Sequence, residues 1–443
     1  MSFYALNKAK KHLHNQKNYS NLWLHLNYHM AGNRNFVSID IGSHTIRTVV
    51  GILNENSTQP QILGVGIAPS QGIRKSMVVD IEEAIRSISL SLEDAERLSG
   101  EPINHVFVGM GGHHLESYNS KGVIAISNPN GEIMEEDIDR SLEAAQAMAI
   151  PNNRKILRII PRSFTVDDQD GIKYPVGMTG IRLEVDAHIV TGLTPGVKNL
   201  EKCIIESGVD IDDVVPNGLA AAEAVLQRRQ KELGVVVLDI GCGSTNMTVY
   251  EEGTILHSKV LPIGGESVTN DIAIGLKTSI ESAEKIKTEY GTCKPEDIDS
   301  KEQIDLSLIS KVDLHQVSRK TLSQIIQARY QEILELAKDE LIAINRDGTL
   351  PAGVIITGGA SKMQGLVDLA RDTLKLPSQI GFPQNFEGVL EQVDDPSYST
   401  AIGLLIWGSR FSEGSGSMGL GLSNVDFSKM VDTLKSWLKN LMP

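Results

Sequence analysis

The chain has 443 residues, 41% hydrophobic and 22% charged, and a formal net charge of −14. That length supports two or three folding units with their own cores, and the acidic balance excludes nonspecific nucleic-acid binding as the main job, which needs a basic footprint. Cys203, Cys242 and Cys293 lie far apart without a CxxC pair, as expected of reduced thiols, and no run of about 18 apolar residues offers a membrane span.

Residues 1–34 carry Lys8, Lys10, Lys11 and Lys17, four histidines and no acid. They read as a disordered basic extension lacking the apolar region and cleavage site of a signal peptide; a start at Met30 would remove most of it. Strands then alternate with helices. Residues 36–41 and 48–53 read as strands joined by a glycine-containing turn. Residues 81–99 read as a helix with Ile85, Ile88, Leu92 and Ala95 on one face, and 106–109 as a short strand running into Gly111-Gly112. Residues 113–195 read as a compact α+β insert, with strands at 122–127, 156–166 and 183–191 and a helix at 135–149. Pro195-Gly196 opens a helix to Ser207. A second strand pair follows at 234–239 and 247–250, then helices at 268–276, 282–290 and 314–344. A strand at 353–357 leads through Gly358-Gly359 to a helix from about 362 to 374.

The end of the chain has its own pattern. Residues 412–423 are rich in Ser and Gly and read as a flexible linker. Beyond them, Phe427, Met430, Val431, Leu434, Trp437, Leu438 and Leu441 fall on one helical face, opposite Lys429, Lys435 and Lys439. Asp426 is the expected N-cap. Bulky apolar groups including Trp, opposed by lysines, are what a helix lying in a membrane interface requires. One such helix anchors weakly, so firm attachment would need many copies acting together.

An internal repeat locates the chemistry. Val37-Ser38-Ile39-Asp40-Ile41-Gly42-Ser43 recurs as Val236-Val237-Leu238-Asp239-Ile240-Gly241-Cys242. Matching Thr48-Val49 to Thr248-Val249 makes the second turn one residue longer. The glycines permit close backbone approach, and successive N–H groups in such a turn form a nest for phosphate oxygens. An aspartate ending a buried apolar strand requires a metal or hydrogen-bond partner. Two such turns face to face would clamp a polyphosphate and hold Mg²⁺ near Asp40 and Asp239, through water, since Mg²⁺ dehydrates reluctantly. Gly353-Val354-Ile355-Ile356-Thr357-Gly358-Gly359-Ala360-Ser361 adds a strand and Gly-Gly turn able to lie against adenosine.

This order of turn, turn and Gly-Gly loop resembles the actin-like ATPase superfamily of actin, MreB, heat-shock chaperones and sugar kinases. Within it, residues 215–226, 234–250, 262–265, 269–273 and 283–291 resemble the FtsA family of bacterial cell-division proteins, and the resemblance covers about 35–411 and the tail. It implies an α/β, actin-like (ribonuclease H-like) two-lobed ATPase fold with an inserted α+β subdomain of the 1C type at 113–195. The first lobe (1A) would be 35–112 and 196–230, the second (2A) 231–265 and 346–411, with subdomain 2B at 266–345, the linker at 412–423 and the membrane-targeting helix at 424–443.

By that resemblance ATP and Mg²⁺ bind between the lobes. Asp40, Gly42 and Ser43 would serve the first phosphate turn; Asp239, Gly241, Gly243, Ser244 and Thr245 the second; Gly358, Gly359 and Ala360 the adenosine. Glu284 and Lys287, three apart on a helix, would contact ribose and adenine. Asn217 falls where relatives place the Gln or Glu that orients the attacking water; being shorter, it implies slow turnover and ATP as a structural switch. Residues 220–222 and 401–404 would be helices crossing between the lobes as a hinge. The family's partners would be the C-terminal peptide of FtsZ on 266–345, later division proteins through the insert, further copies in a filament, and lipid through the tail, with no nucleic acid. The expected place is the cytoplasmic side of the cell membrane at the division site. A PilM-like protein of type IV pilus assembly is the alternative, discriminated by the tail; a sugar kinase would need a catalytic Asp and a polar sugar-binding cluster, neither of which the sequence offers.

Overall fold

A computed structural model describes residues 34–54, 57–147, 151–309, 313, 315–388 and 391–413. The linker beyond 413 and the amphipathic tail, Phe427 to Leu441 included, lie outside the described residues, as does the basic extension up to 33.

In chain order the elements begin with β1 (Arg34–Ile41), β2 (Thr45–Leu53), β3 (Gln61–Pro69), the short β4 (Ile73–Arg74) and β5 (Met77–Val78), and α1 (Ile81–Ser99). Helix α1 starts at Asp80, whose carboxylate accepts from the Glu83 N–H at 3.0 Å, and stops at Gly100 in a left-handed conformation. It presents Ala84, Ile88, Leu92 and Ala95 to the core. Next come β6 (His105–Met110), β7 (Glu116–Ala125), α2 (Glu135–Gln146), β8 (Arg154–Val166), β9 (Gln169–Ile172), β10 (Arg182–Leu193), α3 (Thr194–Glu206), β11 (Asp210–Pro216), α4 (Asn217–Val225) and α5 (Arg228–Leu233). The second half runs β12 (Val235–Ile240), β13 (Thr245–Glu251), β14 (Thr254–Leu261), α6 (Gly265–Leu276), α7 (Ile280–Tyr290), β15 (Gln303–Asp305), β16 (Gln316–Ser318), α8 (Arg319–Ala343), β17 (Val354–Thr357), α9 (Leu366–Leu374), β18 (Ser378–Ile380) and α10 (Ser399–Glu413).

Two five-stranded sheets share one topology. The first runs β11-β6-β1-β2-β3 and the second β18-β17-β12-β13-β14. In each, the strand carrying Asp-Ile-Gly pairs antiparallel with the next strand and parallel with a later one. The insert is a separate antiparallel sheet, β7-β10-β8-β9, with α2 against it and its own core of Ile133, Leu142, Phe164, Leu183 and Ile189. Its β7 and β10 also reach the second sheet: Ser117 donates to the Ser258 carbonyl at 2.6 Å and His188 Nε2 lies 3.0 Å from Ser258 Oγ.

Some expected boundaries move for local reasons. The helix expected from 314 begins at Arg319, because Gln316–Ser318 pairs with β15 and Ser318 caps the helix. The helix expected from 362 begins at Leu366, since Gly365 turns left-handed (φ 80°) after a 3-10 turn at Gly359–Lys362. Helix α10 continues through Glu413, so the first two residues assigned to the linker are helical.

Helices α4 and α10 cross between the sheets. A Cβ on Gly403 would sit 1.7 Å from the Ala220 carbonyl oxygen, so only glycine permits this approach. The crossing carries a buried charge cluster: Glu223, 3% exposed, accepts from Lys231 at 2.6 Å and from Arg410 at 2.6 Å. Burial alone would raise the Glu223 pKa, but the two cations overcome it and hold it down at about 2. Removing one partner of such a group leaves uncompensated charge. Glu223→Ala should therefore cost about 3 kcal/mol of stability, measured by denaturant unfolding at neutral pH. Because the folded pKa lies below the ordinary 4.5, this contribution is fully present above that value. The gap between wild type and variant should narrow as pH falls from about 4.5 towards 2.

Candidate functional site

The two Asp-Ile-Gly hairpins are built alike. Asp40 pairs across β1–β2 with Arg47, and Asp239 across β12–β13 with Asn246. Ile41 pairs with Ile46 and Ile240 with Thr245, so the turns have equal length. The expected extra residue in the second turn is not there. Thr48 lies opposite Ile39 but Thr248 lies opposite Val237, one position further from the turn, so the two Thr-Val pairs are not equivalent.

The turns meet. A Cβ on Gly243 would lie 2.7 Å from Ser43 Oγ and 2.8 Å from the Lys75 Cα, a gap that admits only glycine. The Ser76 N–H donates to Ser43 Oγ at 2.8 Å, and the Ser76 and Ser244 hydroxyls are 3.0 Å apart. Asp40 and Asp239 are both buried here. Burial pushes Asp40 up to about 7, Arg47 opposes this, and the charge of Asp239 adds to it. Burial also raises Asp239, whose Oδ2 accepts from Asn246 Nδ2 at 2.8 Å, with Thr400 Oγ1 at 3.5 Å. Two of the expected residues are hydrogen-bonded within their own half. The Thr245 hydroxyl is spent on the Ile263 carbonyl at 2.8 Å, and the Gly241 N–H on the Ser244 carbonyl at 2.9 Å.

The Gly-Gly loop closes one end. β17 runs parallel to β12, with Thr357 beside Asp239. Gly358 follows at φ 89°, so close that a Cβ there would be 2.4 Å from Asp239 Oδ1. The Ala360 carbonyl accepts from Tyr330 Oη at 2.8 Å, and the Ala360 methyl would lie 3.1 Å from a Cβ on Gly265. Glu284 and Lys287 stand beside it. The Lys287 ammonium is buried and donates to Glu284 at 2.6 Å, to Thr269 at 2.7 Å and to the Gly265 carbonyl at 3.3 Å. Burial would raise Glu284, but bonds from Lys287 and Thr269, and the charges of Lys287 and His44, hold it below its ordinary range. His44 belongs to the first turn, so the two lobes interact electrostatically here too.

Asn217 heads α4 and packs against the end of β6: a Cβ on Gly109 would be 2.6 Å from Asn217 Oδ1. It is 5% exposed, and that oxygen has no hydrogen-bond partner among the described residues. Gly218 beside it touches the second sheet at Thr248 and Asn246.

The site therefore joins Asp40, Ser43, Asp239, Gly243, Ser244 and Gly358 in one junction, with Ala360, Glu284 and Lys287 at a second, flanking end. Two buried carboxylates raised by burial form a donor set that suits a divalent cation. No group of three or more His, Cys, Asp or Glu forms a metal cage among the described residues, so a cation here would keep waters and ligand oxygens. Sequence reasoning missed Arg47, Asn246, Thr400 and the Lys75–Ser76 turn. Arg47 and Asn246 could have been found by counting back across each hairpin; Lys75 and Ser76 lie between two-residue strands that carry no periodicity.

Comparison with known proteins places this architecture. The family described as "Cell division protein FtsA" matches residues 236–403, and that described as "SHS2 domain inserted in FTSA" matches residues 112–191. The cell division protein FtsA of Pseudomonas aeruginosa is 36% identical over 409 residues, 91% of this chain and 97% of its own. Those of Bacillus subtilis and Neisseria meningitidis are 37% and 38% identical over 381 residues, covering 86% and 85% of this chain and 85% and 91% of their own. Among solved structures, the PilM–PilN type IV pilus biogenesis complex matches with a TM-score of 0.61 at 17% identity, over 84% of this chain and 98% of that one. MreB5 of Spiroplasma citri bound to ADP matches with a TM-score of 0.51 at 12% identity, over 86% and 99%. These two likenesses establish the actin-like fold. With identities of 36–38% across 85–91% of its length, this chain belongs to the FtsA family of cell-division proteins.

Proposed function

We propose that this chain binds ATP with Mg²⁺ between its two lobes and works as a membrane-attached, polymerising member of its family that tethers FtsZ filaments at the division site. The observation that carries the nucleotide is the contact of the two turns, where Gly243 meets Ser43 beside two buried carboxylates. In this reading Asp40 and Asp239 hold the water shell of Mg²⁺. Gly42, Ser43, Gly243 and Ser244 present their backbone to phosphate, while Gly241 and Thr245 brace the second turn. Gly358, Gly359, Ala360, Glu284 and Lys287 take the adenosine. ADP in the MreB5 structure supports the assignment. The likeness to PilM is one of fold, whereas the relatives at 36–38% identity are cell-division proteins, which disfavours pilus assembly.

Asn217 orients a water through its amide oxygen, which has no other partner among the described residues. An amide is a poor base, so turnover is slow and nucleotide state acts through the hinge at Ala220 and Gly403. Residues 266–345 take the FtsZ C-terminal peptide, the insert meets later division proteins, and the tail holds lipid. Among the described residues no helix is long and apolar enough to cross a membrane.

Three outcomes follow. Asp239→Ala, or chelation of Mg²⁺, should weaken ATP binding by at least about tenfold, or 1.4 kcal/mol, in titration calorimetry. Asn217→Ala should leave ATP affinity within about twofold while phosphate release slows by about tenfold or more, since misplacing a reactant by about 1 Å can cost 10²-fold; a large loss of binding would contradict its role. With ATP, the full chain should pellet with anionic liposomes and a chain ending at Gly421 should stay in the supernatant. Equal pelleting would remove the tail from the account.

A further inference from the structure

The β4–β5 hairpin inserts its turn between the two phosphate turns, and that turn is strained. Ile73 pairs with Val78 and Arg74 with Met77, leaving Lys75 and Ser76 as a two-residue loop at φ 48° and 59°. Such turns favour Asn-Gly, because both residues sit in the left-handed region. Lys and Ser occupy it against their preference, and strain of this kind is found where surrounding contacts and function demand it. Here the contacts are plain. Ser76 is hydrogen-bonded to Ser43 of one lobe and lies 3.0 Å from the Ser244 hydroxyl of the other, and the Lys75 backbone rests on Gly243.

The charges around the junction explain why a lysine would be kept there. Asp40, Asp239 and Glu284 make the cleft acidic, yet a nucleotide is a polyanion. Arg47 faces Asp40 and lies over the Tyr398 ring at 5.1 Å, and Lys287 is engaged by Glu284 at 2.6 Å. Lys75 is exposed, its backbone packs against Gly243 of the second turn, and it has no ion pair among the described residues. Its ammonium is a point charge on a flexible four-carbon stem, suited to phosphate.

We propose that the Lys75–Ser76 turn is a third phosphate-binding element, in which the Lys75 ammonium engages the terminal phosphate and lets the site tell a nucleoside triphosphate from a diphosphate. This rests on the reading of the cleft as an ATP site. Ser76 bridges the lobes, so engagement of the same turn by the terminal phosphate couples that phosphate to lobe closure.

The test compares Lys75→Asn and Lys75→Arg with wild type in the full chain, by calorimetric titration with AMPPNP and with ADP, both with Mg²⁺. Asparagine tolerates the left-handed region, so Lys75→Asn removes the charge while the apo chain should melt at or above the wild-type temperature. It should bind AMPPNP about tenfold more weakly and ADP within about twofold. Lys75→Arg should keep AMPPNP affinity within about threefold. Wild-type binding of both nucleotides with unchanged AMPPNP affinity in Lys75→Asn would overturn the inference and leave the ATP site standing. Equal losses for AMPPNP and ADP would also overturn it. A wild-type chain that binds neither nucleotide would bring down the ATP reading and this inference with it.

Discussion

Two carboxylates buried in one junction are the constraint on which the structure depends. Asp40 and Asp239 each sit near the end of an apolar strand, 7% exposed, and burial raises the pKa of both. A buried charge without compensation is costly. The surroundings supply that compensation in part: Arg47 across one hairpin, Asn246 across the other, and Thr400 from α10. Asp40 remains raised to about 7, so Arg47 offsets its burial only in part. The glycines at 243 and 358 follow from the same constraint, since each lets backbone approach where a side chain would collide with Ser43 or Asp239.

The repeated sheet topology explains how two such residues come to face each other. Each half ends its central strand in the same turn, and α4 and α10 cross between the halves at Ala220 and Gly403. Glu223, Lys231 and Arg410 tie that crossing together by charge. Small residues at the contact and a buried ion cluster beside it make a joint that is close-packed yet specific in register. The insert adds a second bridge, because β7 and β10 reach β14 through Ser117 and His188. The insert is therefore hydrogen-bonded to the second half as well as continuous with the first.

Much of this was legible in the sequence, and the failures have physical causes. The Asp-Ile-Gly repeat and the Gly-Gly loop exposed the two-lobed architecture, because buried apolar strands ending in an acid and glycines leave a strong local signature. Helix α1 was readable to the residue from its apolar face, and the structure adds the Asp80 cap and the Gly100 stop that fix those bounds. Strands β3, β11, β14 and β18 escaped: β11 and β18 pair with strands reached only across intervening helices, while β3 and β14, hairpin partners of β2 and β13, have their apolar pattern broken by Gly64 and Gly66 and by His257, Ser258 and Lys259. The turn lengths were misread because Thr-Val occurs at two different registers. Lys75 and Ser76 were invisible for a related reason: their role comes from where tertiary packing delivers them, against Gly243 of the other lobe.

The most direct test of the central claim is a structure of the full chain with AMPPNP and Mg²⁺. The phosphate oxygens should accept backbone N–H groups from both the 42–45 and the 241–244 turns, with Asp40 and Asp239 on the metal's water shell. Phosphates held by one turn alone, or a nucleotide seated away from both aspartates, would contradict the two-sided grip.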